Sequence, residues 1–136
     1  MKSQHLVGLV MVTALVGVAL APRPVPVVAP AALDSIALTF SDTANGGVAV
    51  RQADTGRLVS LVPAAHDGFL RSTMRVLVVM RRHEGLGAQA PFVLSALPGN
   101  RLVLTDTATG QALELEAFGP SNAAEFLPFL APETRS

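Results

Sequence analysis

The sequence predicts an α+β protein: an N-terminal single transmembrane helix, then a duplicated three-strand–helix unit forming an antiparallel sheet or a partly closed barrel. Three observations predict it. Sixteen uncharged residues run from Leu6 to Ala21. Beyond Asp34, apolar residues recur at every second position between turn signals, the period of half-buried strands. Those strands, turns and helix starts recur at a constant offset of 54 residues.

The first element, residues 1–21, reads as a membrane anchor. From Ser3 to Ala21 a helix would span roughly 28 Å at about 1.5 Å per residue, close to the ~30 Å hydrocarbon core. A cleaved signal sequence is the alternative, with Ala19-Leu20-Ala21 as its end. Pro22 disfavours cleavage, since proline lacks the N–H that an extended peptidase substrate uses. Either way the rest of the chain is sent across the membrane, and Lys2 with the terminal amine places the N-terminus in the cytoplasm. Thr13, Gly17 and Ala21 recur every four residues, small enough to let a neighbouring helix approach closely. Residues 22–33 (PRPVPVVAPAAL) hold four prolines and read as an extended spacer, about 37 Å long at ~3.1 Å per residue.

The domain then occupies residues 34–136. Ile36, Leu38 and Phe40 alternate, as do Val48 with Val50, Leu102 with Leu104, and Leu113 with Leu115. Asn45-Gly46-Gly47 and Pro98-Gly99-Asn100 are hairpin turns, because Gly and Asn accept positive φ. Adding 54 carries Val48 to Leu102, Val50 to Leu104, Thr55-Gly56 to Thr109-Gly110, and Asp67 to Ser121. The first helix is expected from Asp67, its cap, to His83, with Gly85 ending it and Arg81, Arg82 and His83 at its negative end. Its centre, Val76 to Met80, is apolar on all sides and predicts a helix lying deep against the sheet. The second helix starts at Ser121 or Asn122, with Asn122 and Glu125 at capping-box spacing. Pro128 should end or kink it after Leu127, leaving Phe129 and Leu130 in a tail. Most of the six Phe should be core.

Composition excludes several chemistries. Ten basic residues balance ten acidic ones, so a nucleic-acid binder is not expected. Without Cys there is no thiolate catalysis, disulfide framework or Cys-ligated metal. Of the three His, His5 lies at the extreme N-terminus and His66 reads as a loop or capping residue beside Asp67. GxSxG, HExxH and P-loop motifs are missing, and Gly85-Leu86-Gly87 reads as helix termination rather than a phosphate loop. Glu114 and Glu116 alternate with Leu113 and Leu115, so they should face solvent rather than act as buried catalytic acids. No catalytic, cofactor-binding or metal-ligating residue is expected. The positive signal is a basic stripe: Arg71, Arg75 and Arg82 fall within about 40° of one another on the first helix. It reads either as a solvated face or as a contact for acidic partners or anionic headgroups. The Gly119-Pro120-Ser121-Asn122 turn is the second candidate contact, with a simple helix start as the alternative.

Gly68-Phe69-Leu70-Arg71, then Arg75, Leu77, Arg81-Arg82, Pro91-Phe92 and Leu94, followed by Gly99, Arg101-Leu102, Leu104, Asp106, Thr109-Gly110 and the Ala117-Phe118-Gly119-Pro120 run with Asn122 and Phe126, resemble the photosynthetic complex assembly protein PuhC family of purple bacteria. The resemblance spans Ile36 to Leu130, and its most specific pieces are GFLR and AFGPSN. It implies one membrane segment, a small periplasmic domain, and a non-enzymatic role in building or organising the reaction centre and core light-harvesting complex. It implies those subunits as partners, the bilayer as anchoring surface, and no cofactor. The rival expectations are a generic envelope-anchored binding module and an envelope or pigment-modifying enzyme.

Overall fold

A computed structural model describes residues 30–66 and 68–130. The expected anchor, with Thr13, Gly17 and Ala21, lies outside these residues, as does the capping residue Asp67. Among the described residues no helix is long and apolar enough to cross a membrane.

The alternating runs form β1 (Asp34–Asp42), β2 (Val48–Gln52) and β3 (Leu58–Val62), then α1 (Gly68–His83). The second unit gives β4 (Phe92–Leu97), β5 (Arg101–Asp106) and β6 (Ala112–Glu114), followed by the short helices α2 (Pro120–Ala124) and α3 (Leu127–Leu130). The strands make one antiparallel sheet in the order β3-β2-β1-β4-β5-β6. It is open. The edges β3 and β6 lie at opposite ends, and after Glu114 the chain turns into a 3₁₀ helix (Leu115–Phe118), so the barrel alternative is not realised.

The duplication holds down to single hydrogen bonds. Gln52 N–H donates to Arg57 O, and 54 residues on Asp106 N–H donates to Gln111 O, both at 2.8 Å. Ala53 N–H to Ala37 O is matched by Thr107 N–H to Pro91 O. Gly56 and Gly110 close the two turns at φ 71° and 76°, a left-handed conformation that Gly adopts without strain. The two halves meet at β1 and β4, where the equivalent residues Leu38 and Phe92 face each other. Antiparallel pairing of equivalent residues places an approximate two-fold axis through that pair, normal to the sheet.

One face of the sheet carries the core. Ile36, Leu38, Val50, Leu94 and Leu104 pack with Leu70, Met74 and Leu77 of α1, and with Phe126 and Phe129. Burial of such side chains contributes roughly 1.5–3 kcal/mol each. The helical halves differ most from expectation. Phe129 is not in a tail: it is 2% exposed and meets Phe126 and Phe40 edge-on. Pro128 is the second residue of α3, where a missing N–H breaks no intrahelical bond. Val76, Val78 and Val79 are exposed, because only the line Leu70, Thr73, Met74, Leu77, Arg81 reaches the sheet. Leu115 leaves the strand pattern and turns inward in the 3₁₀ helix, fully buried. Of the Phe residues, Phe118 stays half exposed.

Candidate functional site

The arginine stripe of α1 lines a groove of about 610 Å³ between that helix and β1. Its floor is apolar, made by Phe40, Val48, Met74, Val78, Val79 and Phe92. Along one wall run Arg71, Arg75 and Arg82, and the facing wall is the strand segment Thr39–Asp42. Asp42 is the one carboxylate among the described lining residues. The structure therefore brings the three predicted arginines together, though not as equals.

Arg71 is fastened to the β1–β2 hairpin. Its guanidinium donates to Asp42 Oδ1 at 3.3 Å and to the Gly46 carbonyl. With 31% of the Arg71 side chain and 83% of the Asp42 side chain exposed, this ion pair contributes little to stability. Arg75 and Arg82 are exposed and have no carboxylate partner among the described residues. A guanidinium presents a planar fork of donors that fits carboxylate or phosphate bidentately. The groove can thus take an anionic group at Arg75 and Arg82 while covering apolar surface below.

Gly119, Pro120 and Asn122 are not part of this groove. Gly119 caps α2 at φ 102° and ψ 152°, and Pro120 is the first helical residue. Asn122 Nδ2 donates to Phe118 O at 2.7 Å, four residues back. The expected capping box does not form: the Asn122 side chain points back along the chain, and Glu125 serves another helix. Glu125 Oε2 accepts from Leu70 N–H at 3.3 Å, near the N-terminus of α1 where a carboxylate is favoured by the helix dipole. This turn is the joint that packs the second helical segment onto the first.

A further group was not foreseen. Arg81, expected with Arg82 and His83 at the negative end of the first helix, is 3% exposed and paired with fully buried Asp106. Arg81 Nε donates to both Asp106 oxygens at 2.9 Å, and Nη2 donates to Oδ1 at 2.7 Å. Nη2 also donates to Ala90 O at 2.8 Å, and the guanidinium carbon lies 4.1 Å from the Phe92 ring centroid, within cation–π range. Burial pushes the Asp106 carboxyl up. The bonds from Arg81 and the Ala108 N–H, with the Arg81 charge, outweigh it and hold the group below the usual carboxylate range. The signal was present in part: Leu70, Met74, Leu77 and Arg81 follow one helical line. At the sheet's far end, Glu114 pairs with Arg101 on the surface, which lowers the carboxyl and raises the guanidinium. The exposed Glu116 accepts from Leu102 N–H at 2.8 Å.

A scan against protein-family models matches residues 33–134 to the photosynthetic complex reorganisation protein PuhC. The chain belongs to the PuhC family. The match takes in the whole sheet, α1 with its groove, and the Gly119 turn. PuhC-family membership gives the domain a role in photosynthetic complex reorganisation. No curated protein and no solved structure matches the chain.

Proposed function

We propose that the protein is a membrane-anchored, non-enzymatic factor that organises the photosynthetic reaction centre and core light-harvesting complex from the periplasmic face of the cytoplasmic membrane. The family match over residues 33–134 carries this reading. The uncharged run Leu6–Ala21 supports the anchor. Lys2 before it supports a cytoplasmic N-terminus and hence a periplasmic domain. The groove supports partner binding rather than catalysis: it joins an apolar floor to cationic side chains, with Asp42 as the one carboxylate among its described residues. Arg75 and Arg82 are the contact residues of choice. Arg71 is already engaged by the hairpin, so its replacement would mix a contact effect with a local structural one.

The test is recovery of the core complex with the tagged full-length protein. The variant Arg75→Glu/Arg82→Glu should keep its circular dichroism spectrum and lose co-purifying reaction centre and antenna. Unchanged recovery would remove the stripe from the contact. Unchanged reaction-centre and antenna content in a deletion strain would overturn the role itself.

A further inference from the structure

The two-fold relation between the halves breaks at the groove. In the first half, the start of β1 lies alongside β4, with Asp34 to Leu38 paired against Ala96 to Phe92. The equivalents of residues 34–37 in the second half are residues 88–91. By symmetry these should lie alongside Thr39–Asp42 of β1, yet the β1–β4 register stops at Leu38 and Phe92. Residues 88–91 leave the sheet instead, and the bond from Arg81 to Ala90 O fastens them away from it. A slot the length of four extended residues, roughly 13 Å at ~3.3 Å each, is left open.

The slot has a hydrogen-bonding wall. Ala37 O accepts from Ala53 and Thr43 N–H donates to Gly47 O, both toward the β2 side. Successive residues of a strand point their N–H and C=O to alternate sides, so Ala37, Thr39, Ser41 and Thr43 face β2. Phe40 and Asp42 therefore direct their backbone groups into the slot, where no strand of the described residues meets them. Open strand edges are templates for pairing with another chain.

We infer that this slot binds an extended acidic segment of a partner protein as an added strand, antiparallel to β1, with its carboxylates on Arg75 and Arg82. The inference rests on the proposed role for its claim that the ligand comes from another protein, and adds how that ligand is held. Charge complementarity selects the occupant. Arg75 and Arg82 are cationic along one wall and have no carboxylate partner among the described residues, while the exposed Asp42 repels acids at the hairpin end. Every second side chain of the added strand would turn toward α1, where its carboxylates meet Arg75 and Arg82 and apolar residues between them cover the floor that includes the exposed Val78 and Val79. The other half of the molecule shows the geometry when filled, since residues 34–37 occupy the equivalent place beside β4.

The experiment uses the full chain in detergent micelles and three fluorescein-labelled octapeptides. One repeats Glu-Thr-Val-Thr, so that glutamate and valine share the face toward α1; the second replaces glutamate by lysine, and the third is the acidic peptide N-methylated on the amides that would face β1. Fluorescence anisotropy should report saturable binding of the acidic peptide and binding weaker by about tenfold or more for the other two, the size expected from losing a charge-assisted or backbone hydrogen bond. Asp42→Pro removes an N–H on the slot side and spares those facing β2, so it should weaken binding similarly. Asp42→Asn, which keeps that N–H, should not. Equal binding of the N-methylated peptide, or of the acidic peptide to Asp42→Pro, overturns strand addition. So does failure of the acidic peptide to bind a folded protein, or a dimer that Asp42→Pro abolishes, which would assign the slot to a second copy. Peptide failure while Arg75→Glu/Arg82→Glu still loses the core complex refutes the slot alone. Peptide binding by a protein whose deletion leaves the photosynthetic complexes unchanged refutes only the role.

Discussion

Replacing Asp106 by alanine would leave the Arg81 guanidinium charged, 3% exposed, and without the carboxylate that takes three of its hydrogen bonds. Ala90 O would remain as its close acceptor, which satisfies one donor and no charge. Removing one partner of a buried pair costs about 3–5 kcal/mol, and the Ala108 N–H loses its acceptor as well, at about 1 kcal/mol. Against a total of roughly 5–15 kcal/mol for a domain, this is a large fraction. Equilibrium urea denaturation measures it. The chain has no Trp or Tyr, so far-UV circular dichroism is the probe rather than intrinsic fluorescence. Arg81→Met should cost a similar amount, but Arg81→Met/Asp106→Ala should cost much less than the sum, because neither charge is then stranded. The pH dependence has a definite sign. The native Asp106 pKa lies below its unfolded value of about 3.9, so the pair's contribution is complete above that pH and is lost as pH falls through the native value. The acid-induced loss of stability should therefore be smaller in the double variant. A loss under about 1 kcal/mol for Asp106→Ala, or single losses that simply add in the double variant, would refute the reasoning.

Two further outcomes test the packing. Phe126→Ala should lower stability by about 3–5 kcal/mol, because the ring is fully buried and meets Phe69 and Phe129 edge-on; a urea midpoint close to wild type would contradict this core. Gly119→Ala should cost about 1–3 kcal/mol from backbone strain alone, since φ is +102° while a Cβ there would meet nothing within 4 Å. An alanine variant as stable as wild type would show that the turn adopts another conformation.

Most of the sheet was legible in the sequence because its signals are local. Period-two runs marked β1, β2 and β5, and Gly46, Gly56, Gly99 and Gly110 marked turns that do require positive φ. The 54-residue offset reached beyond local structure, down to the matched bonds of Gln52 and Asp106. What the sequence concealed depends on partners far along the chain. Glu125 stands at capping-box spacing from Asn122, but its carboxylate serves Leu70, 55 residues earlier. Arg81 has the residue type of a solvated helix end, yet it lies on the buried line and finds Asp106 25 residues on. The apolar block Val76–Met80 suggested a deep helix, whereas α1 buries one line and leaves Val76 56% exposed. The arginine stripe was visible as a helical face. The open half-edge of β1 beside it follows from register, which no local pattern encodes.

The palindromic strand order also shapes how the chain finds its structure. Among the described residues four of the five strand pairings join neighbours in sequence, and only β1 with β4 closes a long loop. Local pairings form early at small entropic cost, while long-range closure is slow. Each three-strand unit can thus assemble its hairpins on its own. The step that makes one sheet of them is the pairing of residues 34–38 with 92–96, where both halves must already be in register.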